Sequence, residues 1–162
     1  EGRARGPEYV HEVVTCYKEA ISSVIEGTYT EKKKDAWDER LKTVFNRGFW
    51  NGYYQGQKMG EWTRNYGNKA TERKVLVGKV IKYFSKLGVA EIAVEASEIS
   101  LNEKMLITGT TTGVMKFTAS EIRYDLKPVD RAEKGWRVSL PVPDKVRPND
   151  KVYKIVRTKV EE

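Results

Sequence analysis

The sequence predicts a mainly β fold, a small closed antiparallel β-barrel preceded by a helical segment, and three observations carry that expectation. Residues 72–162 read as short β-rich runs broken by turn chemistry, at the spacing of a barrel or sandwich. Residues 7–26 instead carry apolar side chains at helical spacing. Between them, the stretch from Arg47 to Gly56 is dense in glycine and aromatics, and 57–71 is polar. The expected division is 1–56 for the helical part, 57–71 for a linker and 72–162 for the barrel.

Pro7 to Glu26 is the clearest helix. Tyr9, Val10, Val13, Val14, Tyr17, Ala20, Ile21, Val24 and Ile25 line one face of it. Gly6 suits the N-cap, Pro7 the first helical position and Gly27 the left-handed stop. A second helix is expected over Asp35 to Asn46, with Trp37, Leu41, Val44 and Phe45 as its stripe, and Lys32-Lys33-Lys34 is expected in the loop before it. The wide stripe of the first helix needs a partner, either the barrel or a segment upstream of Glu1, and the upstream segment is preferred.

Seven strands are expected in the second half: 74–84, 89–96, 104–108, 113–118, 121–126, 135–140 and 151–156. Turns fall at 85–88, 108–109, Gly113, Lys127-Pro128, 134–135 and 147–150. Closure into a barrel is favoured over a sandwich because it removes exposed strand edges.

Composition narrows the function. With 39% apolar and 33% charged residues over 162 positions, the chain can bury a core and is not disordered. No apolar run approaches the roughly 18 residues of a membrane span, so no membrane partner is expected. One cysteine, Cys16, excludes an internal disulfide and fits a reducing cytoplasm. The start at Glu1-Gly2-Arg3, without methionine or signal peptide, reads as a boundary within a longer protein. The net charge of +7 divides as +2 over residues 1–70 and +5 over 71–162, a weak polyanion preference or a solvated basic surface.

No complete catalytic motif emerges. His11-Glu12 begins a zinc-protease pattern, but Thr15 stands where the second histidine would be, so no metal site is expected. Cys16 lies beside an apolar stripe and reads as a structural thiol. The 108–113 stretch, Thr-Gly-Thr-Thr-Thr-Gly, lacks the lysine and following helix of a phosphate loop and reads as a hairpin. Arg3 and Arg5, just before a helix start, could hold an anion in a larger protein. Lys79, Lys82, Tyr83, Arg123, Tyr124, Lys154 and Arg157 are the candidates for nucleic-acid contact, if some of them share a face.

Several segments together resemble the C-terminal end of the collagenase-like peptidase family (unclassified peptidase family thirty-two). In order, these are Glu1-Gly2-Arg3, Tyr9-Val10, Val13-Val14, Tyr17 to Ile21, Asn46 to Phe49, Gly52-Tyr53-Tyr54 with Gly56, and Val77 to Val80. Gly109 to Val114 and Val146 to Lys154 complete the match. The resemblance implies that Glu1-Gly2-Arg3 ends the last strand of an α/β-barrel catalytic domain and that the first helix is its final helix. Residues from about 72 onward would then form a barrel similar to the second domain of translation elongation factors. Glu1 and Arg3 would border the catalytic pocket. Asn102-Glu103-Lys104 departs from the family's usual glycine-aspartate turn, and Asn149 replaces a usual glycine.

The expected function is a C-terminal accessory module, without a cofactor or complete active site, that presents an RNA or protein substrate to the upstream catalytic domain of the same polypeptide. Family members are labelled peptidases, and some support hydroxylation of RNA. The alternatives are a stabilising or oligomerising domain of a true peptidase, and a free-standing RNA-binding barrel.

Overall fold

The computed structural model describes residues 6–46, 48–49 and 69–158. The chain divides into two compact units, Glu1–Glu72 with Thr158–Glu162, and Arg73–Arg157.

The first unit contains helices α1 (Pro7–Ile25) and α2 (Glu31–Thr43). Gly6 precedes α1 with Pro7 at the first turn, and Gly27 takes a φ of 66° after its end. α2 starts four residues earlier than the sequence suggests. Thr30 caps it, its side chain accepting from the Lys33 N–H at 3.3 Å, so Lys32, Lys33 and Lys34 are helical rather than loop residues. Val44 and Phe45 lie beyond the end of α2. Asn46 ties this end to Lys69, whose N–H donates to the Asn46 carbonyl at 2.9 Å. Of the aromatic segment expected at 47–56 and the linker at 57–71, residues 47 and 50–68 lie outside the described residues.

The second unit is built on one large antiparallel sheet. Its strands are β1 (Glu72–Phe84), β2 (Val89–Val94), β4 (Lys104–Gly109), β5 (Gly113–Thr118), β6 (Arg123–Tyr124), β7 (Lys127–Pro128), β9 (Arg137–Pro141) and β10 (Lys151–Arg157). The order across the sheet is β5-β4-β10-β1-β2-β9-β6-β7, while β3 (Ile99–Ser100) and β8 (Arg131–Ala132) pair separately. Alternation selects the core face. Ala90, Ile92 and Val94 of β2 are buried, as are Val138 and Leu140 of β9, and Ile92 lies opposite Val138. Met105, Ile107 and Val152 join the same core cluster from β4 and β10.

Two local devices hold this sheet. Ile81 is an extra residue in β1, because Val80 pairs with Ile92 but Lys82 pairs with Glu91. This bulge keeps Val80 inward and then turns Lys82 outward and Tyr83 onto the core. At Gly78 a Cβ would lie 1.8 Å from the Ala93 carbonyl oxygen, so only glycine allows β1 and β2 to approach there.

The expected strand 121–126 shrinks to Arg123–Tyr124, and Lys127-Pro128, expected as a turn, is a strand. The chain turns one step earlier, at Asp125 and Leu126, with φ of 47° and 65°. Pro128 has no N–H to give, and its strand sits at the end of the sheet order, where none is required. The two-residue strands β3 and β8 are too short to show a period in sequence.

Candidate functional site

Glu1, Arg3 and Arg5, the expected pocket border and anion contacts, lie outside the described residues. The other candidates fall into three places.

The first is the α1–α2 hairpin. Glu12, Cys16, Glu19 and Ser23 follow one another by four, three and four residues, which places them on one strip of α1. Arg40 of α2 grips that strip twice: Nε donates to Glu12 Oε1 at 2.9 Å and Nη1 to Glu19 Oε2 at 2.5 Å. The Trp37 indole N–H also donates to Glu19 Oε2, at 2.9 Å. The hydrogen bond from Arg40 holds the Glu19 carboxyl below its ordinary range, and the same bond raises Arg40. Cys16, only 2% exposed, is enclosed on this strip, in keeping with a structural thiol. His11 is exposed on the helix surface.

Val10, Val14, Tyr17, Ile21 and Val24 repeat at the same spacing and lie about 150° around the helix from the clamp, at 3.6 residues per turn. They are 42–62% exposed, and Ile25 is 81% exposed. The outer part of the apolar stripe of α1 therefore faces solvent, with Tyr9, Val13 and Ala20 half-buried, and the face turned to α2 is the polar one. An open groove of about 880 Å³ runs between the helices, with Trp37, Lys33 and Arg40 among its walls.

The second place is the outer face of the β unit, where strand register settles which basic candidates belong together. Lys82, Glu91, Ser139 and Arg123 form one row across β1, β2, β9 and β6. Lys79, Ala93 and Arg137 form the adjacent row. Lys79, Lys82 and Arg123 thus share a face, and they share it with Arg137, which the sequence reading missed. Its alternation with buried Val138 was the available signal. Lys79 is paired with Glu95 at 2.9 Å and Arg123 with Glu121 at 2.6 Å. Lys82 lies over the Phe84 ring at 5.0 Å, and among the described residues neither Lys82 nor Arg137 forms an ion pair.

Tyr83 and Tyr124 do not belong to this face. Both pack against the core, and Tyr124 stacks on Trp136 with ring centroids 4.2 Å apart. They are therefore not free platforms for bases. Lys154 also separates from the group, since it stands opposite core residue Met105 and its side chain is only 13% exposed. Arg157 is exposed at the end of β10.

The third place joins two segments that carry the sequence resemblance. Asp150 is 6% exposed, and its Oδ2 accepts from the Thr112 hydroxyl at 2.5 Å and the Arg147 backbone N–H at 2.8 Å. A Cβ on Gly109 would lie 1.8 Å from Asp150 Oδ1. The hydroxyl-rich 108–113 hairpin is thus buttressed by the 147–150 turn, which is a structural role. Asn102 and Asn149, where the sequence resemblance implies a departure from the usual turn and from the usual glycine, both take positive φ, 65° and 70°, the conformation asparagine tolerates best after glycine. Among the described residues no cluster of metal-ligating side chains is present, and no helix is long and apolar enough to cross a membrane.

The model of peptidase family U32 matches residues 1–64. The chain is 58% identical over 154 residues to a collagenase of Porphyromonas gingivalis, covering 95% of this chain and 37% of that protein. It is 32% identical over 161 residues to an uncharacterized protease of Methanocaldococcus jannaschii, covering 98% of this chain and 39% of that protein. A crystal structure of the C-terminal domain of a Geobacillus thermoleovorans U32 peptidase superposes with a TM-score of 0.47 at 16% identity, over 49% of this chain and 90% of that one. These likenesses agree with the sequence resemblance to peptidase family U32, whose model matches the first 64 residues. The chain spans less than half the length of these curated relatives.

Proposed function

We propose that this chain is the accessory end of a U32-family protein, seated on an upstream catalytic domain of the same polypeptide and presenting substrate to it. The observation that carries this reading is the exposed apolar stripe of α1. A helix whose polar strip is clamped inward while its valines, isoleucines and tyrosine face water lacks the layer that would bury them. The relatives have more than half of their length outside this span, enough for the domain that would cover the stripe. In this reading residues 1–56 end the catalytic domain, 57–71 link, and 72–162 form a separate domain.

That second domain is, in the same proposal, a closed barrel similar to the second domain of translation elongation factors. Support comes from its single core cluster, which draws on β4 and β10 as well as β2 and β9. Inward residues of β4 and β9 would stand roughly 19 Å apart in a flat sheet at the usual strand spacing, so curling is what lets one core serve both.

RNA is the presented substrate this surface supports, through Lys79, Lys82, Arg123 and Arg137 on the outer face. Two of the four already face carboxylates, so a modest affinity is expected. Binding of single-stranded RNA oligonucleotides, measured across salt concentrations, tests it. Affinity should fall as salt rises, and replacing Lys82 and Arg137 by alanine should reduce the log–log slope by about 1 to 1.5, from the roughly 0.7 that each phosphate contact contributes. No binding at low salt, or an unchanged slope in the double variant, removes RNA and leaves a stabilising domain as the reading.

A further inference from the structure

Lys154 does not behave like the other basic residues of the β unit. Its side chain is 13% exposed, and among the described residues the one carboxylate it faces is Glu103, at 3.6 Å from Oε1. That separation is too long for a hydrogen bond, and the other oxygen of Glu103 already accepts from the Ser100 backbone N–H at 3.0 Å. The aliphatic stem is covered while the ammonium is not enclosed, so the donors that Glu103 does not take are open to the space beside it. It forms part of the wall of an open groove of about 410 Å³, along with Ser97, Glu98, Arg131, Glu133 and Lys134. Arg131 is neutralised by Glu98 at the rim.

The signs around the groove alternate, and this selects among anions. A phosphate dianion that reached Lys154 would also meet Glu98, Glu133 and Glu103. A monoanionic carboxylate carries less charge to repel, and the peptide groups next to it bring N–H donors for those same acidic residues. We infer that this groove is a binding site for a peptide carboxylate, a chain terminus or an acidic side chain, with Lys154 as the residue that holds it. The site is separate from the outer face proposed for RNA, whose residues line a different side of the strands.

The test uses the 162-residue chain and an acetylated trialanine peptide, as the free acid and as its C-terminal amide, followed by amide NMR shifts. The free acid should shift Ser97 and Lys134 saturably, and the amide should bind about tenfold or more weakly, because a charge-assisted contact is lost. Lys154→Met should abolish saturation while leaving RNA binding and its salt slope unchanged. Glu103→Gln removes the competing negative charge and should tighten the free acid several-fold. This second variant decides the matter even if Lys154→Met does not fold. The inference is overturned if acid and amide bind alike, if Lys154→Met binds as the parent does, if Glu103→Gln leaves affinity unchanged or weaker, or if inorganic phosphate competes at the peptide's own concentration.

Discussion

The two units of this chain treat their apolar residues in opposite ways. In the β unit Val80, Ile92, Met105, Ile107, Val138, Leu140 and Val152 are no more than 1% exposed, and they form one cluster. In the helical unit Val10, Val14, Ile21, Val24 and Ile25 of α1 stand in water, while Glu12, Cys16, Glu19 and Ser23 face the clamp. The β unit satisfies its own hydrophobic demand, and the helical unit leaves its own open. The first has the character of a domain, the second of one side of an interface.

Breaking the self-sufficient half should have the largest effect. Gly78→Ala places a methyl 1.8 Å from the Ala93 carbonyl oxygen, backbone that cannot step aside. It should lower stability by about 3 kcal/mol or more, as overpacking at its worst does. Gly88→Ala is the control. Unlike Gly78 it has a positive φ, 65°, and open space around it, so only the left-handed penalty of about 1 to 2 kcal/mol applies. Urea unfolding followed by the β-sheet circular dichroism signal separates the two, and equal losses would show that the close β1–β2 approach is not what the sheet depends on.

The helical half should respond far less. Arg40 and Glu19 are 37% and 43% exposed at the side chain, so Arg40→Ala should cost only about 0.2–1 kcal/mol for each ion pair it removes. The pH dependence has a definite sign. Glu19 is held below its ordinary 4.5 chiefly by the Arg40 hydrogen bond, so its contribution is complete above that value and is lost as pH falls through the lower folded value. Helical circular dichroism should therefore fall with acid below about pH 4.5 in the parent, and Arg40→Ala should flatten that fall. An identical acid profile in both would mean that the clamp does not join the helices.

Much of the β unit was legible because each signal was local. Partial alternation marked β2, and short runs between turn residues marked β5, β9 and β10, to within about two residues, the normal uncertainty of a strand end. Asp125 and Leu126 escaped, because a left-handed leucine in a hairpin contradicts the residue preferences on which a turn is read. The lysine run at 32–34 misled for a similar reason: its charge suggested a loop, while the Thr30 cap three residues before Lys33 was the stronger sign. The basic surface could only be half read. Sequence names Lys79, Lys82, Arg123 and Lys154, but register and the bulge at Ile81 decide that the first three share a face with Arg137 and that Lys154 turns inward. On α1 the pattern showed that the apolar residues needed a partner, and spacing alone could not say which part of the stripe would stay uncovered.

The central claim is that the exposed stripe of α1 is the seat of an upstream domain. It is tested most directly by replacing Tyr17 and Ile21 with aspartate in two proteins, the 162-residue chain and a longer chain that adds the sequence its curated relatives carry beyond this span. Thermal unfolding of each pair is the measurement. Both side chains are about 60% exposed here, so the short chain should keep its melting temperature within about 2 °C, the scale of a surface change within ±0.5 kcal/mol. The longer protein should lose stability by several degrees, because two charges would be buried against an apolar surface. Equal melting temperatures in the longer pair, or an equal fall in both pairs, would contradict the account.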